Sequence, residues 1–133
     1  MDERRLKELA LLEQRYGEIE HGPNLDWVII KAFKLPPGWN RECTRLLIIM
    51  PPGYPVTPPD NFYVDTGLRL ASGAPLSGYS EPVSQLGQNW GQFSHHVDSN
   101  TWRPSPDNLS GDNLLTFMLS VERRFAELNQ WPS

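Results

Sequence analysis

Residues 50–62 read Met-Pro-Pro-Gly-Tyr-Pro-Val-Thr-Pro-Pro-Asp-Asn-Phe, with five prolines between positions 51 and 59. Proline fixes φ near −65°, has no N–H to donate and pushes the residue before it out of the helical region. This stretch therefore belongs to no helix interior and no central strand. It is a stiff bend between whatever lies on either side. Proline also lowers the cost of a cis peptide to about 0.5–1 kcal/mol, so a cis bond is expected at one of these X-Pro steps. A corner of this kind has no chemistry of its own; its value is in what it holds at a fixed angle.

The segments around the corner have clear periods. Leu6, Leu9, Leu12 and Tyr16 recur at three- and four-residue steps between charged residues, which predicts a helix over 2–16 stopped by Gly17. A short strand can begin at Glu18–Glu20. Trp27–Lys34 and Thr44–Met50 are β-branched and aromatic runs separated by Pro36-Pro37-Gly38, and they predict an antiparallel pair. Asn61–Asp65 forms a fourth strand after the corner. Near the end, Leu114, Phe117, Met118, Val121, Phe125 and Leu128 share one helical face, with Ser110 or Asp112 as the cap and Asn129 and Pro132 as the stop. Residues 66–101 are rich in Gly, Ser, Gln, Asn and Pro and hold no sustained period, so a long irregular loop is expected there, and such loops are often functional. Strands in sequence followed by a helix indicate an α+β fold, a meander of about four antiparallel strands covered by helices, in one domain over 1–133.

Composition excludes several classes. The net charge is −4, the wrong sign for a phosphate-binding surface, so no nucleic-acid partner is expected. No apolar run approaches the roughly 18 residues of a membrane span, so no membrane partner is expected either. The single cysteine, Cys43, permits no internal disulfide and no thiol-rich metal site, which makes a reducing cytoplasm the expected location. Cys43 leads into a strand and is expected to be a buried or half-buried structural thiol.

Taken together, the apolar strand Leu46–Met50, Tyr54-Pro55, Pro58-Pro59 and Phe62, then Trp102-Arg103-Pro104, Leu109 and the helix over 114–128, resemble the ubiquitin-conjugating enzyme superfamily across nearly the whole chain. The pattern is most similar to divergent bacterial branches that lack the catalytic cysteine. The resemblance implies an N-terminal helix, a meander, a long active-site loop and a C-terminal helix, without the last two helices of the superfamily. It implies a carrier that accepts the activated C-terminus of a ubiquitin-like protein from an adenylating activating enzyme. ATP is then spent by that partner and the chain itself needs no cofactor. Pathways of this kind often include a deconjugating metallopeptidase. The resemblance also implies that the first helix, with Arg4, Arg5 and Lys7, meets the activating enzyme, although a solvated face with pairs such as Arg4–Glu8 accounts for the same residues. Tyr54 at the corner and Trp90 in the loop join them as candidate partner contacts; Trp90 and Phe93 equally suit the role of anchoring a long loop to the core. Trp102 is expected to face the core beside the site.

Two departures bear on the chemistry. The superfamily's His-Pro-Asn is absent, and so is its nucleophilic cysteine. Eight residues before Trp102, where that cysteine is expected, stands Ser94, followed by His95 and His96. A serine hydroxyl attacks only when a base removes its proton, and histidine is the natural base. Ser94 would then carry the cargo as an oxyester, with His96 or His95 as base, Asp98 orienting the imidazole and Asn89 donating to the oxyanion. Neighbours in an extended chain point to opposite sides, so His96 is better placed for Ser94 than His95. Ser99 is a second candidate hydroxyl. Other readings stay open: these are ordinary loop residues on an inactive variant that binds a ubiquitin-like protein or the activating enzyme noncovalently, or His95, His96 and Asp98 hold a metal with His21 or Asp107, although no His-x₃-His or Cys-x₂-Cys spacing supports a metal.

Overall fold

The structure is a computed structural model, and it describes residues 3–98, 100–105 and 109–130. Its elements run α1 (Glu3–Tyr16), β1 (Ile19–His21), β2 (Trp27–Lys34), β3 (Cys43–Ile49), β4 (Asp60–Val64), β5 (Tyr79–Gln85), β6 (Gln88–His96) and α2 (Leu114–Gln130). The strands form one antiparallel sheet in the order β1-β2-β3-β4-β6-β5. Both helices lie on one face of it. Leu9 and Leu12 of α1, and Leu114, Phe117, Met118, Val121 and Phe125 of α2, close over Val28, Ile30, Leu46, Ile48, Phe62, Val64 and Phe93. Leu6 stands at the rim of the α1 stripe and stays 38% exposed.

The opposite face is also covered. Ile29, Leu47, Tyr63 and Trp90 form a second, smaller cluster there, bordered by Trp27, Ile49 and Val83. That explains why β3 reads as a continuous apolar run rather than an alternating one: both of its faces are buried. Arg45 lies 4.4 Å from the Trp90 ring centroid and pairs with Asp65 at 2.7 Å, roofing this cluster with a cation.

The expected irregular stretch over 66–101 is corrected by the structure, as is the count of about four strands. Residues 79–96 form a hairpin, β5–β6, whose second strand pairs with β4 and extends the sheet to six strands. Two signals concealed it. The turn is Leu86-Gly87, both at positive φ (54° and 71°), as a two-residue type I′ connection requires, but leucine rarely occupies such a position. Pro82 also interrupts β5, which a proline permits only on an edge strand. The ring of Tyr79 crosses the backbone of Gly91, where an added Cβ would overlap the Tyr79 phenol, so this crossing needs a glycine.

The proline corner is a tight turn-rich connection between β3 and β4, and its Tyr54-Pro55 bond is cis, as is Glu81-Pro82 in β5. It is tied down from both sides. Trp102 Nε1 donates to the Pro55 carbonyl oxygen at 2.7 Å, and the Tyr54 hydroxyl donates to the buried Glu8 carboxylate. Glu8 also accepts the Leu114 N–H at 3.1 Å, so a carboxylate from α1 satisfies a free donor at the start of α2. Arg4 pairs with the same carboxylate at 3.8 Å. The cap of α2 is Asn113, whose Oδ1 accepts the Leu115 and Thr116 N–H groups, in place of the expected Ser110 or Asp112. Cys43, expected to be at least half-buried, is exposed at the start of β3. Pro132 lies outside the described residues.

Candidate active site

Strand β6 alternates, and the alternation decides what Ser94, His95 and His96 can do. Phe93 and His95 face the helices. Phe93 stacks on Phe62 at 5.1 Å, and the His95 imidazole stands edge-on between Phe62 and Phe117, 5.4 and 5.6 Å away. The strand's pleat turns Ser94 and His96 to the opposite side. A bulge at Asn61, with φ of 66°, shifts the β4–β6 register here and lets Asn61 Oδ1 accept the His95 N–H at 3.1 Å.

Each histidine has a partner that the sequence did not indicate. His95 Nε2 lies 2.9 Å from Ser120 Oγ on α2. His96 Nδ1 pairs with Asp60 of β4 at the exposed end of the sheet. Neither bonds the Ser94 hydroxyl. Ser94 is held by its backbone, donating to the Gly78 carbonyl at 2.8 Å and accepting from Arg124 at 2.6 Å. Burial, with smaller contributions from the Arg124 and His96 charges, lowers the His95 pKa to about 4. The ring is thus neutral throughout the physiological range.

The other candidate positions fall apart spatially. Asn89 lies five residues up β6 from Ser94, roughly 17 Å along an extended strand, so it is no oxyanion donor for that hydroxyl. Asp98 orients no imidazole; its carboxylate accepts the Asn100 N–H, and its carbonyl accepts those of Thr101 and Trp102, which shapes the turn into Trp102. Among the partner candidates, Tyr54 is 5% exposed and Trp90 is fully buried with its Nε1 bonded to the Gln85 carbonyl, so neither ring is open to a partner. Both are placed inward because large rings gain most where no water reaches them. Arg4 donates to the Asp112 carbonyl and Arg5 to the Leu25 carbonyl, stitching α1 to neighbouring loops. Lys7 is exposed on α1. Among the described residues no group of three His, Cys, Asp or Glu side chains is arranged to hold a metal ion. Ser99 and Asp107 lie outside the described residues.

A cavity of about 400 Å³ opens beside His95, between the end of β6 and the outer side of α2. Trp102 forms one wall. Asp112, Thr116, Ser120 and Arg123 supply polar groups along the helix side. The cavity thus lies where the Trp-x-Pro segment, the last strand and the final helix meet. The model of the prokaryotic E2 family E matches residues 1–127. The chain belongs to that family. No curated protein and no solved structure matches it.

As a prokaryotic E2 family member, the chain has the α+β fold of the ubiquitin-conjugating-like superfamily, with its proline corner and Trp-x-Pro locked together through Trp102 and Pro55. The general partners of such a fold are a ubiquitin-like protein and its activating enzyme. No helix among the described residues is long and apolar enough to cross a membrane.

Proposed function

We propose that the chain is the carrier of a bacterial ubiquitin-like protein conjugation pathway, receiving the activated C-terminus at the cavity beside Trp102. One observation carries this reading. The polar cavity is walled by Trp102 and, from the segment around the superfamily's nucleophile spacing, by His95 and His96, whereas Ser94 itself is not among its lining residues. Two groups in that segment compete to take the acyl group, the Ser94 hydroxyl and the His95 imidazole. An ester on Ser94 needs a base, and the hydrogen bonds of His95 and His96 run to Ser120 and Asp60 instead. That same observation favours a second reading, a module that holds its partners noncovalently. The chain needs no cofactor under either reading, because ATP is spent by the activating enzyme; a deconjugating metallopeptidase would reverse the product.

The test is an intact-mass measurement on the protein mixed with a ubiquitin-like protein of the same genome, its activating enzyme and ATP. A covalent adduct establishes the carrier. A noncovalent complex without any adduct establishes the binding module instead.

A further inference from the structure

Resting on the carrier reading, we propose that the acyl acceptor is Nδ1 of His95, held ready by Ser120. The hydroxyl of Ser120 has one hydrogen, and it is donated to the Phe117 carbonyl oxygen at 2.6 Å. The 2.9 Å contact between Ser120 Oγ and His95 Nε2 is then a donation from Nε2–H. A neutral imidazole carries one proton, so Nδ1 keeps its lone pair. Among the described residues no hydrogen-bond partner is found for Nδ1, and the His95 ring lines the cavity. Phe62 and Phe117 flank the ring and limit its rotation. With a pKa held down to about 4 by burial, Arg124 and His96, against a smaller opposing pull from Asp60, the lone pair is free at neutral pH without any further base. Ser94, one residue away, has none of these provisions.

The step balances without a redox partner. Nδ1 attacks the carbonyl carbon of the ubiquitin-like protein's C-terminal thioester on the activating enzyme. The N–C bond forms, the C–S bond breaks, and the departing thiolate takes up, through water, the proton that Nε2 releases. The product is a neutral N-acylimidazole, and Nε2 accepts from Ser120 once the hydroxyl rotates its hydrogen from the Phe117 carbonyl to the ring. An acceptor amine then attacks the same carbon, the C–N bond to the ring breaks, and the imidazole recovers one proton from the amine. An acylimidazole is a far more reactive acyl donor than an oxyester, which suits a carrier whose cargo must pass on to an amine.

The experiment uses the full chain with Cys43→Ser, so that no thioester can form on it. It is charged with a ubiquitin-like protein of the same genome, its activating enzyme and ATP, and trapped within seconds. Complex formation is followed separately by native mass spectrometry. The adduct is expected on Cys43→Ser and equally on Cys43→Ser/Ser94→Ala, mapping to His95 and discharged by both hydroxylamine and dithiothreitol. His95→Gln abolishes it. Ser120→Ala slows it roughly twofold to threefold, because the ring then divides between two tautomers. An adduct that survives His95→Gln, or one that resists dithiothreitol and yields only to mild base, overturns the histidine assignment while the carrier reading stands. Complex formation without adduct in any of these proteins overturns both. If His95→Gln does not fold, the mapped site and the discharge chemistry in the Ser94→Ala protein decide.

Discussion

Glu8 and His95 are two polar side chains on the helix-covered side of the sheet, and the structure treats them in opposite ways. Glu8 is fully buried, and its carboxylate gathers the Tyr54 hydroxyl, the Leu114 N–H and the Arg4 guanidinium. It joins α1, the proline corner and α2 in one knot. His95 is only half-buried; Ser120 bonds one ring nitrogen, and the ring lines a cavity. A buried charge is tolerated where partners inside the protein compensate it. A group that keeps capacity unspent, neutral and beside solvent, is available for chemistry. The contrast separates the residue that holds the fold from the one offered to a substrate.

The comparison predicts a hierarchy of effects. Glu8→Ala should cost the most, about 3–5 kcal/mol, as expected for breaking a buried ionic cluster from one side. Denaturant unfolding followed by tryptophan fluorescence measures it, and a cost below 1 kcal/mol would show that the knot is dispensable. Tyr54→Phe removes one donor from that carboxylate and should cost about 1–3 kcal/mol. On the other side of the comparison, Ser120→Ala should cost only about 1 kcal/mol, the net value of an ordinary hydrogen bond. Its informative readout is the ring ¹⁵N spectrum of His95, which should show a single Nε2–H tautomer in the native protein and a mixture in the variant. Ser94→Ala should change stability by no more than about 0.5 kcal/mol, since the contacts that hold Ser94 belong to its backbone.

His95 also sets a pH dependence. Its folded pKa of about 4 lies below its ordinary value near 6.5, so between those values the unfolded chain binds a proton that the native ring does not. Stability is therefore complete above pH 6.5 and falls as pH drops toward 4. The carboxylates of Glu81, held at about 2 by Arg69, and of Asp65, where burial is outweighed by the Arg45 bonds so that the net shift is downward, add losses in the same direction at lower pH. His95→Gln should flatten the stability curve between pH 6.5 and 4.5 while leaving the steeper fall below it. An NMR titration placing the His95 midpoint at 6 or above would break the assignment of a buried, neutral ring.

Much of this was legible in the chain. The apolar face of α2, the strands around the corner and the core-facing placement of Trp102 follow from period, steric restriction and motif. Each is a local rule that a dozen residues can express. The β5–β6 hairpin was not legible, because Leu86 takes a backbone conformation that leucine seldom adopts and Pro82 breaks the strand pattern. The site was partly legible. The spacing from Trp102 led to residues 94–96, but Asn89 and Asp98 were chosen as neighbours in sequence and proved remote or engaged in a turn. Strand alternation after Phe93 was the one available signal that His95, rather than Ser94, faces the helices.

The sequence alone determined the elements whose cause is local: two amphipathic helices, a stiff proline bend and a family membership readable in Tyr-Pro, Pro-Pro and Trp-x-Pro. Tertiary structure decided the partners. Ser120 stands 25 residues from His95, Asp60 stands 36 from His96 and Glu8 stands 46 from Tyr54. Hydrogen bonds at such separations depend on how sheet and helices pack, and no local pattern encodes them. The protonation of His95, and with it the chemistry open to that ring, is set by those distant contacts and by burial, which exist only once the chain has folded.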